Sequence, residues 1–166
     1  MGAPLTWEDF AGLQPDLAGA GRRLLYEFGI GLGFLATVRT DGGPRVHPIC
    51  PIFTETGLYG LIVPGPKLED LRRDARYALH SETCPPPRQD DAFYLTGTVR
   101  ELSDADLRRR LDAQFLAERD LSEPWPGFDQ QVLVEFMVGR CLLTLTQAQD
   151  HFPAGHTVWT VAGPTP

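Results

Sequence analysis

Gly33-Phe34-Leu35-Ala36-Thr37-Val38-Arg39-Thr40-Asp41-Gly42-Gly43-Pro44-Arg45-Val46-His47-Pro48-Ile49-Cys50-Pro51 decides the fold. From Phe34 to Arg39, Phe, Ala and Val alternate with Leu, Thr and Arg, the period of two that a half-buried strand requires. Asp41-Gly42 then supplies a tight turn, because glycine enters the left-handed region at no steric cost. The return from Arg45 to Phe53 is the antiparallel partner, so the segment predicts a hairpin.

Downstream, a Thr56-Gly57 turn leads into a third strand over Leu58 to Val63. Lys67 to Asp74 has helical spacing: Leu68 and Leu71 share a face, and Glu69 and Arg73 stand one turn apart, placed to pair. Tyr77 to His80 is extended again, and the proline-rich Cys84 to Asp91 is a surface loop. Ala92 to Leu102 is a long strand bent at Gly97. Ser103-Asp104-Ala105-Asp106 reads as a capping box opening a helix that carries Leu107, Leu111 and Phe115, and Pro124-Trp125-Pro126-Gly127 lies beyond its end. Val132 to Val138 alternates, Gly139 breaks the run, Arg140 to Leu145 resumes it, and Thr157 to Val161 is a short last strand. Upstream, one helix is expected over about 15–28, with Pro15 in its first turn and Leu17, Leu24, Leu25 and Phe28 on one face. About eight strands with few intervening helices predict a mainly β chain with flanking helices (α+β), an antiparallel barrel rather than a doubly wound sheet. No repeat or linker divides the chain, so residues 1–166 read as a single domain, with the barrel over about 33–161.

Composition narrows the function. A formal net charge of −7, with no Lys/Arg cluster free of interleaved acids, argues against nucleic acid and toward small-molecule or protein partners. No apolar run reaches the length of a bilayer span and the start lacks the pattern of an export signal, so the expectation is a cytoplasmic protein without membrane contact. The three cysteines, Cys50, Cys84 and Cys141, lack metal-ligand spacing and read as reduced thiols. His80, His151 and His156 also lack metal spacing.

The chemistry gathers on the second strand. Pro48 and Pro51 donate no ladder hydrogen bonds, so this strand is an edge or carries a bulge, and neighbouring backbone groups need other partners. The edge of a flavin-like heterocycle is one such partner, with Arg45 and His47, two apart on one face, meeting a phosphate tail. An edge strand under a helix, with Arg45 in an ion pair, accounts for the same residues. Lys67, after Pro64-Gly65-Pro66 at a helix start, would attract an anion together with the first free amides; a solvated turn lysine is the plainer alternative.

The order of these pieces, from Gly33-Phe34-Leu35-Ala36-Thr37-Val38 through Pro44-Arg45-Val46-His47-Pro48 and Lys67 with Asp70-Leu71-Arg72-Arg73-Asp74 to Phe93-Tyr94-Leu95-Thr96-Gly97, resembles the pyridoxamine 5'-phosphate oxidase-like family of FMN-binding split β-barrels. The resemblance implies an antiparallel split β-barrel of FMN-binding type and a homodimer with the cofactor at the subunit interface. It further implies a flavoprotein oxidoreductase passing hydride or electrons between flavin and a small organic or nicotinamide substrate. F420 in place of FMN, a non-catalytic flavin carrier and a haem-binding relative are the alternatives it brings. Carried over, Arg45 and Lys67 would bind the FMN phosphate, and Val46, His47 and Pro48 would lie along the flavin, mostly through backbone. Leu61 and Ile62 would line the same groove, and Trp159 would approach the cofactor. The chain departs from the family at Gly65-Pro66, where a hydroxyl residue and often a further basic residue precede the lysine, at Ala92 in place of an amide, and in an ending without arginine. These departures argue against pyridoxamine phosphate oxidation itself.

Overall fold

The computed structural model describes residues 2–85, 90–146 and 154–162. Residues 86–89 of the expected 84–91 loop, His151 and the last four residues lie outside them. The elements run α1 (Trp7–Leu13), α2 (Pro15–Leu25), β1 (Gly33–Val38), β2 (Pro44–Ile49), β3 (Ile52–Phe53), β4 (Leu58–Ile62), α3 (Pro66–Arg73) and β5 (Arg76–Ser81). Then follow β6 (Ala92–Glu101), α4 (Ala105–Ala117), a single 3-10 turn (Phe128–Gln130), β7 (Val132–Leu145) and β8 (Gly155–Thr160).

All described pairings are antiparallel, in the order β2-β1-β5-β6-β7-β4-β3, with β8 added to β7. The sheet curls until its end strands, β2 and β3, are separated in the chain only by Cys50 and Pro51, yet these two do not pair. That gap makes the barrel a split one. Pro51 falls in the gap and Pro48 lies on the edge strand β2, as their missing N–H groups demand.

The expected break at Gly139 is instead a bulge inside one long strand. Thr96 opposes Arg140 and Gly97 opposes Val138, leaving Gly139 as the extra residue. At this crossing a Cβ on Gly97 would fall 1.8 Å from the Met137 carbonyl oxygen. The first half of β7 pairs with β4 and the second with β8, and Leu5 bridges to Val138 between them.

Three helix expectations need correction. The helix expected over 15–28 ends at Leu25, and Phe28, placed on its buried face, is exposed. A separate helix, α1, precedes it, capped by Thr6, whose hydroxyl accepts from the Asp9 amide; only Trp7 and Phe10 are buried on so short an element, too few for a periodicity to register. The cap of α4 is Asp104 rather than Ser103: its carboxylate takes the amides of Asp106 and Leu107.

Two apolar cores sit on opposite faces of β3, β4 and β7. The larger fills the barrel and includes Phe53, Ile62, Val134 and Phe136, covered by α1 and α2. The smaller lies outside, where Leu107, Leu111 and Phe115 of α4 pack with Phe128 on Ile52, Tyr59, Leu61 and Leu133.

Helix α3 is fastened to the sheet by Asp70, whose side chain is 4% exposed. Its Oδ2 accepts from the Thr37 hydroxyl at 3.0 Å and from Arg45 Nε at 2.6 Å, and its Oδ1 from Arg73 at 3.3 Å. Arg73 therefore serves Asp70, not Glu69 as its spacing suggests, and also reaches the Thr40 hydroxyl and the Val38 carbonyl. The Arg45 hydrogen bond, opposed by burial and helped by Thr37 and Arg73, holds the Asp70 carboxyl below its usual range.

Two measurements check this account. Gly97→Ala is expected to lower stability by about 1–3 kcal/mol, as overpacking does, whereas Gly12→Ala in α1, where a Cβ meets nothing within 4 Å, raises it by about 0.5–1 kcal/mol; urea midpoints separate the two. A carboxyl held low in the folded state stabilises above its unfolded pKa of about 3.9 and loses that contribution as pH falls through its folded value. Asp74, lowered to about 2 by its hydrogen bond with Arg76, and Glu101, lowered by Arg72, act in the same window. The melting temperature should therefore drop below about pH 4, and Asp70→Asn should start lower at pH 6 and fall less steeply.

Candidate functional site

Register places Arg45 opposite Thr37 and His47 opposite Leu35, so both side chains stand on the side of β2 that faces α3. Beyond β4 the chain turns through Val63-Pro64-Gly65 into α3, with Gly65 at φ 149°, a conformation glycine adopts readily. Pro66 opens the helix, no side chain caps it, and its first intrahelical bond runs from the Glu69 amide to the Gly65 carbonyl at 3.1 Å. The amides of Lys67 and Leu68 are left without a partner among the described residues, at the positive end of the helix dipole. Arg45, His47, Lys67 and the 63–66 turn enclose a cleft of about 260 Å³.

Within it, Arg45 is anchored through Nε on Asp70 and keeps both terminal nitrogens without a partner among the described residues. Lys67 is half-buried with no ion pair among the described residues; burial pushes its ammonium below the usual lysine range, and the nearby Cys50 thiol works in the opposite direction. An anion set between these two cations would relieve that desolvation.

A second cavity, also about 260 Å³, shares Val63 and Lys67 with the first. Pro48 on β2, Cys50 just past its end, Leu61 on β4, Phe115 on α4, Trp125 and Gln131 line it, with Glu82 as its carboxylate. Each cavity alone is smaller than an ordinary ligand pocket of about 300–1,000 Å³, and the two together fall within that range. The Trp125 ring, 44% exposed, packs 4.7 Å from Phe128 and 6.0 Å from Phe115. Gln131 is 6% exposed and its Nε2 has no hydrogen-bond partner among the described residues.

Of the residues expected at the site, Arg45, His47 and Lys67 meet in the first cleft, and Pro48 and Leu61 line the second. Ile62 does not share the groove of Leu61: neighbouring strand residues face opposite ways, and its side chain is fully buried in the barrel core. Val46 likewise stands opposite Ala36 on the outer face and is 60% exposed, which leaves only its backbone near the cleft. Trp159 is apart from both cavities, with its ring 5.0 Å from Phe10. The backbone groups freed beside Pro51 find a side chain rather than a ligand: Tyr26 Oη accepts from the Phe53 amide at 3.2 Å and donates to the Pro51 carbonyl or to Glu118. Burial, foremost, raises that phenol to about 12.

Three residues not expected at the site lie beside it: Asp70, which holds Arg45, and Gln131 and Phe115, which line the second cavity. Extending the alternation of β7 one step back from Leu133 would have put Gln131 on the face under α4. Nothing local marks Asp70, which depends on Arg45 from a distant strand.

No family model and no curated protein sequence matches the chain. Solved structures do. A NimC/NimA family protein of Clostridium acetobutylicum aligns with a TM-score of 0.60 at 15% identity, covering 87% of this chain and 94% of that one. A protein of Listeria innocua described as a candidate pyridoxamine 5'-phosphate oxidase gives 0.59 at 15%, covering 78% and 95%. An FAD-binding protein of Mesorhizobium loti gives 0.53 at 24%, covering 66% and 82%. At these identities the likeness is one of fold, and the chain has the split β-barrel fold of pyridoxamine 5'-phosphate oxidase-like proteins.

Proposed function

We propose that the chain binds FMN and works as a flavin-dependent oxidoreductase on a small organic or nicotinamide substrate. The observation that carries this reading is the cleft where Arg45, Lys67 and the uncapped start of α3 converge, beside a largely apolar cavity that shares Val63 and Lys67 with it. A phosphate would take the free nitrogens of Arg45, the ammonium of Lys67 and the amides of Lys67 and Leu68. The hydroxyl that relatives place before the lysine is absent, and the helix end supplies donors in its stead.

When bound, the flavin supplies the redox chemistry, and the protein's part is to bind, orient and exclude water. Leu61, Val63, Phe115 and Trp125 provide the apolar surround, and Pro48 borders the ring position without offering an amide. His47, exposed at the rim, is the group placed to give or take a proton at its imidazole.

A homodimer is part of the reading. The outer face of β1, β5 and β6 presents small side chains, Ala36, Ala78 and Thr96, in a shallow depression beside Tyr94 and Arg76, a surface that a second copy could cover. Trp159, on β8, would reach a cofactor only from such a partner. Cys50 and Cys141, which form no disulfide among the described residues, suit a reducing, cytoplasmic setting.

FMN titration, followed by flavin fluorescence, tests the reading. Arg45→Ala and Lys67→Ala are each expected to weaken FMN by about 1.5–3 kcal/mol, roughly ten- to 150-fold, and to leave riboflavin, which lacks the phosphate, unchanged. Arg45→Lys separates the loss of phosphate contact from the loss of the Asp70 partner. FMN affinity unaltered in both alanine variants refutes the phosphate assignment, and uptake of F420 or haem in place of FMN replaces the cofactor. Rapid reduction of bound flavin by NADH or NADPH supports an enzyme; inertness to every physiological donor leaves a flavin carrier.

A further inference from the structure

The second cavity is lined by two opposite charges that do not meet. Lys67 stands at the start of α3 and Glu82 just beyond the end of β5, and no ion pair joins them. The sheet directs Glu82 to the cavity. Gly33 on β1 opposes Ser81 on one side and Ile49 on the other, and both of these are buried. One residue further, Glu82, Leu32 and Cys50 therefore form a row on the opposite, outer face, where Cys50 packs against the smaller core. Glu82 Oε1 accepts from the Thr83 amide at 2.9 Å and from the Thr83 hydroxyl at 3.3 Å, which fixes the carboxylate. Its Oε2 has no partner, and the residue no ion pair, among the described residues.

A partly buried carboxylate without a counter-ion carries a desolvation cost that a neutral residue would not. The walls around it suit one kind of partner. Trp125 is 44% exposed and is held by the turn that follows it: the Phe128 amide donates to its carbonyl at 3.1 Å across Pro126 and Gly127, the latter at φ 85°. Phe115, the other ring in the lining, already carries the Arg119 guanidinium 3.8 Å from its centre, and Arg119 is paired with Glu118. Trp125 is thus the ring left open to the cavity, and an aromatic face beside a carboxylate is a surround that holds an organic cation.

We propose that the substrate received at this cavity is a small organic cation, a flat ring carrying a protonated amine or an alkylated ring nitrogen, with its charge on the free Oε2 of Glu82 and its ring against Trp125. This names the substrate class of the flavin site and rests on that reading in one respect: the cofactor's phosphate engages Lys67, which leaves Glu82 as the uncompensated charge of the cavity. A neutral substrate of the same shape would gain the ring contact and leave the carboxylate unpaired.

Calorimetric titration with 1-methylnicotinamide, a cation, and with nicotinamide, the same ring without the charge, tests this on the protein with and without FMN. The natural protein is expected to bind the cation more tightly by about tenfold or more. Glu82→Gln, which keeps the size of the side chain and an oxygen for Thr83, is expected to weaken 1-methylnicotinamide about tenfold and to leave nicotinamide and FMN unchanged. Trp125→Leu is expected to weaken the cation about two- to fivefold. The proposal is overturned if the natural protein binds the two probes equally or takes up neither, or if Glu82→Gln keeps the preference for the cation. If FMN does not bind while the cation does, and does so through Glu82, the flavin reading fails and the cation site stands; if FMN binds and the cation is not preferred, the flavin reading stands and the cation site fails.

Discussion

The carboxylate of Asp70 sits where water barely reaches it, and an ion in that position is tolerated only when donors surround it. Thr37 from β1, Arg45 from β2 and Arg73 from its own helix meet that need, so a single charge fixes the spacing of three elements. Lys67 lies one turn earlier on the same helix and is thereby held facing Arg45 across the cleft. Asp70 neutralises part of the Arg45 charge from behind and leaves its outer nitrogens without a partner among the described residues. An ion pair and a binding site, which read as alternatives for Arg45 in the sequence, are the same arrangement seen from two sides.

The cavity beside that cleft exists because the barrel is split. Had β2 and β3 paired, the end of β2 would have closed over β4, and Pro48 and Cys50 would lie inside a ladder instead of at a rim. Pro51 and the turn around it prevent closure, and Tyr26 satisfies the freed backbone from the barrel side. Helix α4 then covers the outer face of β4 and β7 only in part, leaving the space that Trp125 borders.

Much of this was legible in the sequence, for identifiable reasons. The hairpin, the edge character of β2, the bend at Gly97 and the apolar stripe of α4 are written in local patterns: alternation, proline, glycine and a spacing of four. Arg45, His47 and Lys67 followed from those patterns because strand faces and a helix start determine where they point. Ile62 was misplaced by counting neighbours as companions where the period of two separates them. Asp70 escaped because it is defined by residues far away in the chain, which no local period records, and Gln131 because it stands just before the alternation of β7 begins. The short α1 escaped because two buried rings make no pattern.

Strand β7 occupies the middle of the sheet but comes nearly last in the chain, bonded to β6 on one side and to β4 and β8 on the other. During synthesis, β4 therefore waits for a partner some seventy residues downstream, at a ribosomal pace of about 5–20 residues per second. Until then Leu58, Leu61 and Ile62, each nearly inaccessible in the finished protein, have only the two-residue β3 beside them. Closure of the fold is thus a late and long-range event, and the nascent chain has an interval of exposed apolar strand before it.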